Sequence, residues 1–262
     1  VYWLEVLEES GDLLRVRNIT AGAKRPVPQI EAWIEARFVY PLLRGKEVRR
    51  WKARPGIHLL LVQDPQTRRG YDPDWLRDVA PHTWDYLAQF ESTLRERAAY
   101  RRYYKSQHPF YSMFDVGMYS FAPVKVVWQG FGTRRMRAAV ITTQAGKPIM
   151  TNQAMHPFIG LQDESEAHYL AACLNSAAFE YAVLSQGQVG GKSFAQPGLL
   201  RLLRLPTYES ANPVHQTLAD LSRRAHAGAP DDAAIAEATA TIWGLSPVEQ
   251  RDILQSLREL IH

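Results

Sequence analysis

The sequence has almost no cysteine and no long hydrophobic run. Cys173 is the single cysteine among 262 residues, which excludes an internal disulfide and a cysteine-rich zinc site. The apolar runs are short, as at residues 59–62, whereas a membrane span needs roughly 20 residues. No secretory signal opens the chain, so we expect a cytoplasmic protein with no membrane partner. Because the chain begins at Val1 and not Met, we also expect it to be part of a longer protein.

The patterns of metal and catalytic sites are also missing. The eight histidines include no pair at i, i+3 or i, i+4 spacing, which is how one helix face holds a metal. There is no serine nucleophile elbow, and no acidic pair followed by Glu-x-Lys as in metal-dependent nucleases. We therefore predict neither a metal site nor a catalytic residue in this chain.

A glycine-rich stretch at residues 187–193 ends in Gly-Lys-Ser, like the phosphate-binding loop of nucleotide hydrolases. The full pattern needs a glycine at position 186, where this chain has glutamine, and a strand before the loop, where we predict a helix. The stretch therefore does not match a nucleotide-hydrolysis site. A loop of this composition still suits contact with a phosphate backbone or a base edge, through Gln188, Lys192 and Ser193.

Hydrophobic periodicity predicts an α+β fold with a mixed β-sheet and packed helices. We predict strands at residues 2–19 (two, around a turn at 9–12), 57–63, 124–128, 138–143 and 158–161, the last three in one sheet. Apolar residues at helical spacing predict one long amphipathic helix over about residues 83–104. A start signal at Asp163 predicts another helix after the last strand.

The pattern changes beyond Pro206, where apolar stripes at helical spacing replace strand-like runs. Residues 246–249 form a capping box with Pro247 at the first helical position, which predicts the start of the last helix. We therefore divide the chain into an α+β domain at residues 1–205 and a small helical unit at residues 206–262.

Positive charge is concentrated in one stretch. The net charge is only +4, yet residues 101–158 hold eight basic side chains against one acid, Asp115. Ten aromatic residues are interleaved with them, among them Tyr103, Tyr104, Tyr111, Tyr119, Phe121, Trp128 and Phe131. Such a surface fits a nucleic acid, since phosphates carry charge and bases have flat faces. The alternative is a β-rich core with buried aromatics and ordinary solvated arginines.

Four stretches carry a resemblance to a known family: residues 40–51, 109–128, 166–176 and 239–246. They include a Leu-Leu-Arg-Gly-Lys element at residues 42–46 and a Leu-Asn-Ser element at residues 174–176. In order and spacing they resemble the C-terminal target-recognition region of adenine-specific amino DNA methyltransferases, from restriction-modification and related phage-defence systems.

The resemblance implies a domain that binds double-stranded DNA and reads its sequence. It also implies an N-terminal methyltransferase domain of the same polypeptide, which binds S-adenosylmethionine. The catalytic Asn-Pro-Pro-aromatic signature of the family does not occur here, because Asn212-Pro213 is followed by Val214. We therefore expect this chain alone to bind no cofactor and to transfer no methyl group.

Candidate DNA contacts follow from side-chain chemistry. Arginine pairs bidentately with guanine, and Asn or Gln with adenine, whereas Lys and Arg also meet phosphates. Candidate base readers are Gln129, Arg134, Arg135, Asn152 and Gln188. Candidate phosphate contacts are Arg44, Lys46, Arg49, Arg50, Lys125 and Lys192, with Ser193 beside them. We expect Arg258, in the acidic tail, to contribute nothing to DNA binding.

A second class of function stays open from the sequence. The chain could instead be a protein-interaction or scaffolding domain of a defence complex, with its C-terminal helices paired to another subunit. A DNA-binding titration over salt separates the two, because phosphate contacts make binding salt-dependent.

Overall fold

The computed structural model describes residues 1–23, 26–104, 107–130, 135–152, 158–186 and 204–261. The chain divides into two units by its internal contacts. Unit 1 comprises Val1–Leu42, Pro55–Phe121 and Gln144–Met150. Unit 2 comprises Leu43–Arg54, Ala122–Thr143 and Thr151–His262. Helices and strands occur together in the described ranges, which confirms the α+β class.

The strands are short and are numbered here in chain order. Their bounds are β1 (Trp3–Ser10), β2 (Leu13–Asn18), β3 (Glu31–Glu35), β4 (Val39–Leu43), β5 (Val48–Arg49), β6 (Lys52–Ala53), β7 (Ile57–Leu60), β8 (Gln63–Asp64), β9 (Arg69–Gly70), β10 (Val124–Trp128), β11 (Ala138–Ile141), β12 (Thr143–Gln144), β13 (Lys147–Pro148), β14 (Met150–Thr151) and β15 (Phe158–Leu161). The larger sheet has six strands, in the order β14-β4-β7-β1-β2-β3. The smaller has three, in the order β11-β10-β15, as the sequence predicts.

The helices of the described ranges are numbered in the same way. They are α1 (Pro73–Val79), α2 (Pro81–Ala88), α3 (Glu91–Arg95), α4 (Ala98–Tyr103), α5 (Glu164–Leu174), α6 (Ala177–Gln186), α7 (Pro213–His226), α8 (Asp232–Trp243) and α9 (Pro247–Ile261). None of them is long and apolar enough to cross a membrane.

Unit 1 packs α1 to α4 onto one face of the larger sheet. The β1–β2 hairpin turns at Gly11, whose φ of +57° suits glycine because it has no Cβ to clash. Leu4, Val16, Ile34 and Leu60 of the sheet belong to one buried cluster with Leu76, Leu87, Phe90 and Leu94 of the helical segment. Burial of this shared apolar surface stabilises the unit.

The single helix predicted over residues 83–104 is wrong: the structure has three short helices there, α2 to α4. The chain is extended at Arg97 (φ −58°, ψ 134°), which ends the helical hydrogen bonding. The Arg97 guanidinium donates to the carbonyl oxygens of Leu94, Phe110 and Ser112 (2.9, 2.7 and 3.0 Å). The contacts with Phe110 and Ser112 stabilise the break between α3 and α4. Local hydrophobic periodicity does not reveal them, because these residues lie outside the predicted helix.

Unit 2 places the smaller sheet against α5, which packs on β10 and β11 and also against α7. Asp163 caps α5 by accepting a hydrogen bond from the Ser165 amide (2.7 Å), and the Ser246–Glu249 capping box opens α9, as predicted. The C-terminal helices share one buried cluster with this sheet. The contact-based division therefore does not fall at residue 205, and the boundary at 205/206 stays a prediction about segments of the sequence.

Candidate nucleic-acid interface

A basic segment of unit 2, residues 44–50, forms a short 3₁₀ turn (Gly45–Glu47) followed by the first strand of the β5–β6 hairpin. Arg44 pairs with Glu47, whose second carboxylate oxygen accepts from the Arg44 amide (2.7 Å). This pairing occupies Arg44 within the turn. Lys46 and Arg49 are exposed, and the Arg49 guanidinium donates to the Lys46 carbonyl oxygen (2.8 Å).

Arg50 and Arg135 lie on one cleft of unit 2, although the sequence separates them by 85 residues. Arg50 donates through both Nη atoms to the Asp232 carboxylate (2.9 and 2.7 Å). Arg135 donates through Nε and Nη2 to Glu180 (3.2 and 3.0 Å). The cleft has a volume of about 370 Å³, and Arg258 also lines it. We call it the arginine cleft.

The acids orient both guanidiniums. The hydrogen bond to Glu180 raises the pKa of Arg135, and the hydrogen bond from Arg50 lowers the pKa of Asp232. Glu180 is buried and also accepts from the Met136 amide (2.9 Å), so its position is fixed by the backbone. Arg135 itself remains 54% exposed. A planar guanidinium held in this way is suited to an anion such as phosphate, or to the paired acceptors of guanine.

Asn175 fastens the strand next to this cleft. Its side-chain amide accepts from the Ala138 amide and donates to the Ala138 carbonyl oxygen, both at 2.9 Å. The Asn175 carbonyl oxygen in turn accepts from Arg50 (3.1 Å). Because β11 is an edge strand of its sheet, its outer backbone groups need partners from outside the sheet, and Asn175 is the partner of the Ala138 amide. The Leu-Asn-Ser element therefore links the joint between α5 and α6 to the β11 strand.

The sequence prediction that Lys125 contacts phosphate is wrong. Its side chain is only 1% exposed, and its ammonium donates to the Ala122 carbonyl oxygen (2.7 Å). Burial lowers the pKa of Lys125 to about 8. It lies on β10, the central strand of its sheet, all five residues of which are buried. In this structure it has no access to a DNA backbone.

The remaining candidates occupy separate places. Asn152 is half-buried, and its amide donates to the Leu43 carbonyl oxygen (3.4 Å), next to the basic segment. Gln129 is half-buried, and its Oε1 atom is buried with no hydrogen-bond partner in the described part of the chain. Arg134, Gln188, Lys192 and Ser193 lie outside the described residues. Their assignment as DNA contacts stays a prediction.

The structure thus places Arg50 and Arg135 in the same cleft. Four further residues that the sequence analysis did not select also line this cleft: Asn175, Glu180, Asp232 and Arg258. Only Asn175 had a signal, as part of the Leu-Asn-Ser element. Arg258 also lines the cleft. The expectation that it contributes nothing to DNA binding stays a prediction. Of the aromatic residues in the basic stretch, Tyr104, Tyr111 and Trp128 are buried in the core, whereas Tyr103 is exposed.

The site shows no metal-binding geometry within the residues that the structure describes, where no three His, Cys, Asp or Glu side chains form a suitable group. Burial raises the pKa of the Cys173 thiol to about 12. That thiol therefore has no thiolate character at neutral pH. What the arrangement offers chemically is recognition of anions and base edges.

Two comparisons with known proteins found a match, one in structure and one in sequence. No family model matches the chain. The structure matches part of the Type IIL restriction-modification enzyme MmeI, solved in complex with DNA, with a TM-score of 0.54. The match covers 86% of this chain and 30% of that chain at 10% identity, so it shows a shared fold alone.

In sequence, the chain is 32% identical over 144 residues to the type II methyltransferase M.NspV from a Nostoc species. That match covers 55% of this chain and 28% of the relative's length, so the chain corresponds to less than a third of M.NspV. The chain is thus similar in sequence to part of a type II methyltransferase and similar in fold to part of a restriction-modification enzyme.

Proposed function

We propose that this chain is the DNA target-recognition module of an adenine-specific DNA methyltransferase. In this proposal a separate N-terminal domain of the same polypeptide binds S-adenosylmethionine and transfers the methyl group. The similarity to M.NspV supports the methyltransferase relationship, and the fold shared with MmeI, which was solved with DNA, supports DNA binding.

The observation that carries the proposal is the arginine cleft beside the basic segment. Asp232 and Glu180 hold two guanidiniums in place before any ligand arrives, which reduces the entropy that binding must cost. The same acids neutralise Arg50 and Arg135, so the surplus positive charge comes from Lys46, Arg49 and Arg258. We assign phosphate contact to Lys46 and Arg49, and base or phosphate contact to Arg135.

Salt dependence tests DNA binding directly. Fluorescence anisotropy of this chain with a labelled duplex, repeated over a series of salt concentrations, measures how many phosphates are contacted. About six contacts correspond to a slope of log K against log salt near roughly −5. Binding that does not change with salt, or no binding in dilute buffer, would overturn the proposal.

Single substitutions then locate the surface. Lys46→Ala and Arg49→Ala should each reduce the salt slope by about one, because each removes one phosphate contact. Arg135→Ala should cost about 1 to 3 kcal/mol on the preferred site once that site is known. The matched control is Arg15→Ala in unit 1, which removes an exposed arginine paired with Glu8 and Glu31. An equal loss in the control would show that the binding surface lies elsewhere.

Adenine specificity needs the parent polypeptide. DNA from cells that express it should contain N6-methyladenine, detected by mass spectrometry of the nucleosides. Cytosine methylation in its place would overturn that part of the proposal and leave the DNA-binding part standing.

The scaffolding alternative receives no support from the last helix. Val248, Leu254 and Leu260 are exposed on α9, but they are spaced six residues apart. At 3.6 residues per turn, that spacing points the three side chains in directions about 120° apart. They therefore do not form a single apolar face for a partner helix.

A further inference from the structure

Two aromatic side chains of unit 1 stack on each other at the protein surface. The rings of Tyr103 and Phe114 have centroids 3.8 Å apart and planes inclined by 14°. The residues are 46% and 48% exposed, unlike neighbouring Tyr104, which is buried. We call this pair the aromatic platform. The two adjacent rings leave flat apolar area at the surface that a planar ligand can cover.

The loop that carries Phe114 is fixed by the residue before it. The Gln63 side-chain amide donates to the Met113 carbonyl oxygen (2.8 Å) and accepts from the Met113 amide (2.9 Å). The Tyr104 hydroxyl lies 2.8 Å from the same carbonyl oxygen and 3.2 Å from that of Arg68. Phe114 is therefore held in place from both the β8 strand and the end of α4. A ligand that stacks there pays little for ordering the loop.

The segments that carry and flank the platform hold more basic than acidic side chains. Arg101 and Arg102 are exposed on α4 directly before Tyr103, and the Arg102 guanidinium lies 5.2 Å from the centre of the Tyr103 ring. Exposed Arg68 lies 5.3 Å from the Tyr119 ring in the same loop region. The acid of the loop, Asp115, accepts a hydrogen bond from the Tyr119 hydroxyl. Flat rings within a basic surround match a nucleic acid in both charge and shape.

We infer that the aromatic platform stacks an unpaired nucleobase of bound DNA, while Arg101 and Arg102 contact the flanking phosphates. A base inside a duplex is already stacked on both faces, so an aromatic side chain gains a new contact only when a base is unpaired. Stacking does not depend on base identity, because every base has a π face. The inference rests on the proposed function in assuming DNA as the ligand.

The experiment compares two labelled duplexes of equal length with this chain. One is fully paired, and the other carries a single unpaired 2-aminopurine, whose fluorescence falls when it stacks on an aromatic ring. The bulged duplex should bind at least about fivefold more tightly, the lower end of the range for one base on one aromatic ring. Its fluorescence should fall on binding.

Phe114→Leu and Tyr103→Leu should abolish both the preference and the quenching while affinity for the paired duplex stays within about twofold. Both side chains are about half exposed, so a melting curve suffices to confirm that the variants fold. The control is Trp75→Leu, which removes an aromatic residue of similar exposure (41%) elsewhere in unit 1 and should keep the preference.

The outcomes separate this inference from the proposed function. Equal binding of the two duplexes by the unsubstituted chain, or a preference that survives in both platform variants, would overturn the inference and leave DNA binding intact. Loss of affinity for both duplexes in the variants would also overturn it, since the rings would then contact paired DNA. If the chain binds neither duplex, the proposed function and the inference both fall.

Discussion

Replacement of Asn175 by alanine tests how the candidate interface is held together. The side chain is buried, with 5% exposure for the residue, and its amide makes two hydrogen bonds of 2.9 Å to Ala138 on the edge strand β11. Asn175→Ala removes both bonds. We expect unit 2 to lose stability. We also expect the guanidinium of Arg135, three residues before Ala138, to be held less firmly in its orientation.

The magnitude follows from what each backbone group of Ala138 retains. The carbonyl oxygen still accepts from the Trp51 amide (2.9 Å). Losing the hydrogen bond from the Asn175 side chain therefore costs the carbonyl oxygen one ordinary hydrogen bond, about 0.5 to 1.5 kcal/mol. The amide loses the Asn175 acceptor, and an unsatisfied buried donor costs about 1 to 3 kcal/mol. The free energy of unfolding should therefore fall by about 2 to 4 kcal/mol.

Urea denaturation followed by tryptophan fluorescence measures this change. The matched control is Asn152→Ala, the same substitution at a half-buried asparagine whose side chain makes no hydrogen bond to another described residue. The control should change the free energy of unfolding by less than about 0.5 kcal/mol. If Asn175→Ala is as stable as the control, the Asn175 amide does not secure β11, and our account of how this strand is held is refuted.

Two further predictions concern buried titratable groups. Burial lowers the pKa of Lys125 from 10.5 to about 8, so the folded state disfavours its charged form and the free energy of unfolding should rise as pH increases from 8 to 10.5. Lys125→Met should flatten that rise and stabilise the protein at pH 7. Urea denaturation at several pH values measures both effects, and a rise that persists in the variant would contradict the prediction. Burial lowers the pKa of His168 from 6.5 to about 4, so the folded state keeps the ring neutral and stability should fall as pH decreases from 6.5 towards 4. His168→Gln, which retains polar contact with Ser222 (3.0 Å from His168 Nδ1), should weaken that acid dependence in the same assay, and an unchanged pH profile would contradict it.

Local signals in the sequence determined much of the secondary structure. The turn at residues 9–12, the capping residues Asp163 and Ser246, and the strand patterns at 124–128 and 158–161 all predict elements that the structure contains. Each depends on neighbours within a few residues, through φ preference, capping geometry or hydrophobic periodicity. Such interactions are present in the chain before any tertiary contact forms, and they can be inferred from sequence alone.

Tertiary packing decided which charged residues reach the surface and which partners they have. Lys125 carries an ammonium group that could contact phosphate, but it lies on the central strand of its sheet and is buried by the elements packed around that strand. Arg50 pairs with Asp232 across 182 residues, and Arg135 pairs with Glu180 across 45. An ion pair between distant residues depends on how helices and strands pack, which periodicity does not specify. Sequence therefore supplied the element types and the candidate arginines, whereas only the fold brought two of them together in one cleft with the acids that orient them.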